Sequence, residues 1–140
     1  MARATIKSFR GVVVSSLKLV PSALALGTER MCRDASIGVK QISVRTGHRG
    51  FVEGNLLVLY NEEYGYVATA TIDSVRHCIL SEVTEEECHN DGFVDQNALL
   101  LGLREFYGDS ITLNSDVTVL SWRDVQGPQA DKYRETAASI

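Results

Sequence analysis

The octet Gly38-Val39-Lys40-Gln41-Ile42-Ser43-Val44-Arg45 puts an amine just ahead of a short apolar segment and a guanidinium at its far end. A strand built only to pack alternates apolar side chains with bland polar ones, whereas two cations at the ends of one strand furnish a site for an anion or a nucleobase. The turn that follows, Gly47 to Gly50, adds His48 and Arg49, residue types that touch the phosphates of RNA. Gly38, Lys40, Arg45, His48 and Arg49 are therefore the candidate ligand-binding residues. A plainer alternative has Lys40 and Arg45 pairing on the surface with Asp34, Glu53 or Asp91, and His48 and Arg49 forming an ordinary exposed turn.

Several elements must position these groups. The composition of Ser22 to about Ser36 favours a helix, and Gly38 stands where a helix C-terminal glycine belongs. Gln41 to Thr46 reads as a strand with Ile42 and Val44 on one face and Ser43 and Arg45 on the other. Strands follow at Leu56–Tyr60 and Tyr66–Ile79, joined by a tip at Asn61 to Gly65; the second is long enough to bend around a barrel. Thr84 with Glu85, Glu86 and Glu87 forms a helix start, since the acids suit the positive end of the helix dipole. Asp91-Gly92-Phe93 breaks that helix. A second runs from Asp95 to Tyr107 with Leu99, Leu100, Leu103 and Phe106 as its inner stripe, ended by Gly108. Val117 to Trp122 is a final strand, Gly127 to Ile140 is a polar frayed tail, and Thr5 to Leu19 holds one or two strands. Strands joined as often by turns as by helices favour a small, mostly antiparallel α+β barrel with flanking helices.

Composition bounds the function. At 140 residues the chain makes one domain, taken as residues 1–126, with the tail at 127–140. Its apolar runs are too short to cross a bilayer, so no membrane partner is expected. The three cysteines, Cys32, Cys78 and Cys88, contain no CxxC pair, which argues against a disulfide framework or zinc ribbon and for a reducing, cytoplasmic setting. The adjacent pairs His77-Cys78 and Cys88-His89 lack zinc spacing, so neither a metal nor a cofactor is expected. The stretch Met1 to Thr28 is basic without acids, but Lys18 interrupts its apolar run, which fits a strand better than a targeting peptide. Charge divides unevenly: residues 1–60 carry nine Lys/Arg against three acids, residues 61–140 five against fifteen, within a net charge of −4. A basic half gathered on one face attracts phosphate despite the acidic total. Tyr60, Tyr64, Tyr66 and Phe51 surround the hairpin tip, where aromatic rings stack on bases or pack. The oligomeric state is left open.

The order of helix, GxKxxxxR strand, turn, two long strands, acidic helix, Asp91-Gly92-Phe93 and Phe106-Tyr107 resembles the ASCH family of PUA-like β-barrels, over roughly Ser22 to Trp122. The resemblance implies a cleft directed at RNA or a modified nucleoside. It extends to a branch of small amidohydrolases that deacetylate N4-acetylcytidine, in which a strand lysine is the base, a hydroxyl three residues later the nucleophile and a carboxylic acid after the acidic helix the proton donor. Carried over by position, these become Lys40, Ser43 and Asp91. That branch usually has threonine and glutamate where this chain has Ser43 and Asp91, and Gly54-Asn55 replaces its glycine-aspartate turn. A lysine against apolar neighbours can accept a serine proton, and Arg45 would bind substrate or steady the oxyanion. The three-residue spacing requires Lys40 to lie in the bend before the strand.

Overall fold

The computed structural model of the chain describes residues 22–138. Strands β1 (Ser22–Ala25), β2 (Ile42–Thr46), β3 (Leu56–Asn61), β4 (Tyr66–Ile79) and β5 (Asp116–Gln126) form one sheet in the order β1-β3-β4-β5-β2. Helices α1 (Glu29–Ser36), α2 (Glu85–Asn90), α3 (Gln96–Tyr107) and α4 (Pro128–Ala138) accompany it. Neighbouring strands are antiparallel except β1 and β3. The result is an α+β half-barrel, mostly antiparallel as the sequence implies, whose two edges are β1 and β2. Its curvature comes largely from β4, which shifts register against β5 between Thr69 and Thr71 and again between Ile72 and Ser74; such irregularities bend a strand and increase its twist.

Two apolar clusters hold the sheet, one on each face. On one, Tyr66, Ala68, Ala70 and Ile72 alternate along β4 and meet Leu57, Leu59, Leu120 and Trp122, closed over by Cys32 and Ala35 of α1 and Ala130 of α4. On the other, Val44, Val117 and Val119 pack under Leu80, Val83, Cys88, Leu99 and Leu103. Strand β5, between β4 and β2, is thus buried on both faces over Val117–Leu120. Thr84 caps α2 in a reciprocal box with Glu87, and Asp95 caps α3. Gly38 and Gly92, with φ of +84° and +96°, end α1 and α2 in a conformation that L side chains rarely adopt.

Four expectations are corrected. Ser22–Ala25 is strand, not the first turn of a helix, because Ala23 and Leu24 lie in parallel register with Val58 and Leu59 and that pairing outweighs their helical propensity. The last strand runs on to Gln126. Phe106, assigned to the inner stripe of α3, is 68% exposed. The tail, finally, is helix over Pro128–Ala138: Ala130 is buried in the main cluster and Arg134 bonds the carbonyls of Ser36 and Val125, tying α4 to α1 and β5. The strands and targeting peptide weighed for the N-terminal segment fall outside the described residues. No helix among the described residues is long and apolar enough to cross a membrane.

Burial and the Glu29 carboxylate push the Cys32 thiol from 9.0 up to about 11. The unfolded thiol ionises first, so stability is fully present below pH 9 and declines as pH rises toward 11. Two units at about 1.4 kcal/mol each amount to about 2–3 kcal/mol. Tyr66, raised chiefly by burial, acts in the same direction. Urea melts between pH 8 and 11 should show this decline, and Cys32→Ala should flatten it.

Candidate functional site

The half-barrel does not close between β1 and β2, and the candidate site is built on that seam. Residues of a strand alternate the sides to which their N–H and C=O point. Leu26 N–H bonds Tyr60 of β3, so the backbone of Ala23 and Ala25 points away from β3 and into the seam. Across from it, Ile42, Val44 and Thr46 present the free edge of β2.

Three charged side chains engage that edge. Lys40 lies in the bend before β2, as its spacing requires, and its Nζ donates to the Ile42 carbonyl at 2.8 Å and to Asp91 Oδ1 at 2.5 Å. Asp91 Oδ2 accepts the Val44 N–H at 3.2 Å. Arg49 Nε donates to the Thr46 carbonyl at 2.8 Å. Lys40 and Asp91 form a buried ion pair, with side chains 8% and 5% exposed, rather than the surface pairing considered from the sequence. Charged groups on a sheet edge also oppose pairing with another chain.

Arg45 spans the gap: its guanidinium donates to the Ala25 carbonyl of β1 at 2.7 Å. Burial pulls its pKa below the ordinary value, with Arg49 adding to that and Tyr107 and Asp91 opposing it. An arginine remains charged through such a shift. Below the bridge is a cavity of about 280 Å³, whose walls include Ala23 and Ala25 of β1, Val44 and Arg45 of β2, Arg49, and Tyr107 of α3. The exposed Phe106 and the half-buried Phe93 belong to the same wall. Arg49 lies 5.9 Å from the centre of the Tyr107 ring, within cation–π range.

Not every sequence candidate reaches this cavity. Arg45, Arg49 and Asp91 line it, and Lys40 touches it through Asp91. Gly38 serves instead as the turn after α1. His48 stacks on His77 of β4 at 3.6 Å and does not line the cavity; with Thr118, which donates to Gly47 O and accepts from Arg49 N–H, it fixes the loop that carries Arg49. Ser43 shares a strand face with Arg45 but is 0% exposed, and its Oγ has no hydrogen-bond partner among the described residues, so no bond joins it to Lys40. Of the ring candidates at the hairpin tip, Tyr60 does line the cavity, whereas the sequence assigned no site role to Phe93, Gly102 or the Ala25 carbonyl. For Phe93 and Tyr107 the available signal was an aromatic residue after a helix break and another at a helix end.

Gly102 explains how α3 approaches. A Cβ there would stand 2.6 Å from Cε1 and 2.8 Å from Cζ of Phe93, closer than atoms pack. Mid-helix glycine costs about 1 kcal/mol against alanine, and here it makes room for the Phe93 ring at the cavity wall. Gly102→Ala should therefore shift Phe93 and weaken ligand binding about three- to tenfold, while stability changes by no more than about 1 kcal/mol as helix gain offsets crowding. Parallel titration and thermal melts would separate the two effects.

Among the described residues no three His, Cys, Asp or Glu side chains are placed to hold a metal ion. The fold and its edge cleft define an α+β half-barrel of the PUA-like class. Within that class the chain has the ASCH-domain fold. It superposes on the ASCH domain from Lactobacillus crispatus JV V101 with a TM-score of 0.58 and 18% identity, over 74% of this chain and 78% of that one. On ASCH from Zymomonas mobilis the TM-score is 0.53 and the identity 10%, over 74% of this chain and 67% of that one. No protein-family model matches the sequence, and no curated protein matches it.

Proposed function

We propose that this chain is an RNA- or modified-nucleobase-binding module whose seam cavity receives a base, with Arg45 and Arg49 engaging the adjoining phosphate. The observation that carries this reading is the pairing of two arginines, neither in an ion pair with a carboxylate among the described residues, with the Tyr107 ring around one cavity. Aromatic faces stack on bases and guanidinium forks match phosphate oxygens. A volume of about 280 Å³ lies just under the range of about 300–1,000 Å³ typical for small-ligand pockets, a size suited to one base and its sugar.

Amidohydrolysis of N4-acetylcytidine is the second reading, favoured by the 2.5 Å contact between Lys40 and Asp91, the base and acid the family resemblance implies. It would require Lys40 to leave Asp91 and Ile42 and take a proton from Ser43, and Ser43 to become accessible. Binding needs neither rearrangement.

Fluorescence anisotropy with a labelled single-stranded RNA, repeated across a salt series, tests the first reading; chromatography of N4-acetylcytidine incubated with parent and Ser43→Ala protein tests the second. The expected result is affinity that falls steeply with salt, is unchanged by Ser43→Ala, and is accompanied by no cytidine release. Cytidine released by the parent and not by Ser43→Ala would establish the hydrolase instead.

A further inference from the structure

A second cavity of about 500 Å³ lies between α1 and α4, lined by Arg30, Arg33 and Lys132 together with Tyr64, Tyr66 and Tyr133. It is separated from the seam cavity by α1 itself: Met31 borders the seam, while Arg30 and Arg33 border the groove. A helix with its side chains is about 10–12 Å across, a distance that a few nucleotides cross.

The distribution of cations and tyrosines singles out these two cavities. Among the described residues, Lys40, Arg76, Arg123 and Arg134 each sit in a close ion pair, with Asp91, Glu87, Asp73 and Asp131 respectively. Arg104 is bound to the Ile111 carbonyl. The other five line a cavity: Arg45 and Arg49, which also bond backbone carbonyls, at the seam, and Arg30, Arg33 and Lys132 at the groove. Arg30 and Arg33 share Asp34 only at 3.7 and 3.8 Å, and Lys132 makes no ion pair among the described residues. All five tyrosines of the chain likewise line one cavity or the other: Tyr60 and Tyr107 the seam, Tyr64, Tyr66 and Tyr133 the groove. Glu29 is the sole acid on the groove wall, and it accepts a hydrogen bond from Tyr133 at 3.3 Å. In a protein of net charge −4, a wall of three cations and three phenol rings is suited to an anionic ligand that also offers flat faces.

We infer that the α1–α4 groove is a second subsite, which binds the phosphates and bases of single-stranded RNA flanking the nucleotide held at the seam. This rests on the RNA-binding reading of the seam. Arg30, Arg33 and Lys132 contact phosphates, the exposed Tyr64 stacks on a base, and α1 is the ridge over which the strand passes.

The test compares uridine 5′-monophosphate with a labelled oligouridylate of about 10 nucleotides, titrated across a salt series against parent, Arg33→Ala/Lys132→Ala, Arg33→Glu/Lys132→Glu and Arg45→Ala proteins, the groove variants checked for an unchanged thermal melt and Arg45→Ala for a cooperative one. For a single strand each lost phosphate contact lowers the salt slope by about 0.7, so the double alanine variant should lose about 1.4 in slope on the oligonucleotide and bind the mononucleotide as the parent does. The charge-reversed pair should lose more. If both groove variants bind the oligonucleotide with the parent's slope while Arg45→Ala weakens it, the groove inference is overturned and the seam reading stands. If the groove variants weaken binding while Arg45→Ala leaves both ligands unaffected, the seam reading falls, and with it the groove's role as its flank.

Discussion

Replacing Asp91 with alanine is expected to remove about 3–5 kcal/mol of stability, a large share of the roughly 5–15 kcal/mol available to a small domain. The carboxylate has two partners, the buried Lys40 ammonium at 2.5 Å and the Val44 N–H on the β2 edge at 3.2 Å. Its removal leaves an unpaired charge and an unpaired amide where water is scarce. Lys40→Met/Asp91→Leu removes both charges and should recover part of the loss, since an ion pair replaced by apolar groups costs little; the shortfall comes from the orphaned Val44 amide and Ile42 carbonyl. Urea unfolding of the parent, Asp91→Ala and the double variant reads all three quantities. An Asp91→Ala midpoint equal to the parent's would show that the carboxylate is not a structural clamp, and would move the weight toward Asp91 as a proton donor.

The second large effect falls on binding. Arg45→Ala should lower affinity for single-stranded RNA about 10- to 100-fold, the range for losing charge-assisted hydrogen bonds worth about 1.5–3 kcal/mol, while stability falls by about 1 kcal/mol from the lost bond to the Ala25 carbonyl. Arg45→Lys should restore charge but only part of the affinity, because an ammonium cannot hold the Ala25 carbonyl and a phosphate with one planar fork. Burial lowers the Arg45 pKa, yet the group stays protonated, so its share of the affinity should be constant between pH 6 and 9. Anisotropy titrations at those pH values, with melts alongside, give both numbers; equal affinities for parent and Arg45→Ala would remove the seam from the account of function.

The course of the chain from Ile42 to Tyr107 was legible in sequence because each element there has a local signature. The capping box at Thr84, the break at Asp91-Gly92-Phe93 and the stop at Gly108 all rest on interactions within a few residues. Where partners are distant the signal failed. Ser22–Ala25 has helical composition and becomes a strand because β3 offers it an edge, and Pro128–Ala138 reads as a polar tail but is ordered by Ala130 and Arg134 against elements far away in sequence.

The same division runs through the candidate site. The residue types and the shared face of Ser43 and Arg45 on β2 follow from the order of residues alone, since alternation along a strand is a local property of the backbone. The same order requires Lys40 to stand in the bend. Folding sets the rest: Lys40 pairs with Asp91, 51 positions away, Ser43 is sealed in the core, and Arg45 closes a seam against Ala25. Those outcomes depend on how far the half-barrel curls and where α3 seats upon it, which is set by packing between segments with no common local pattern.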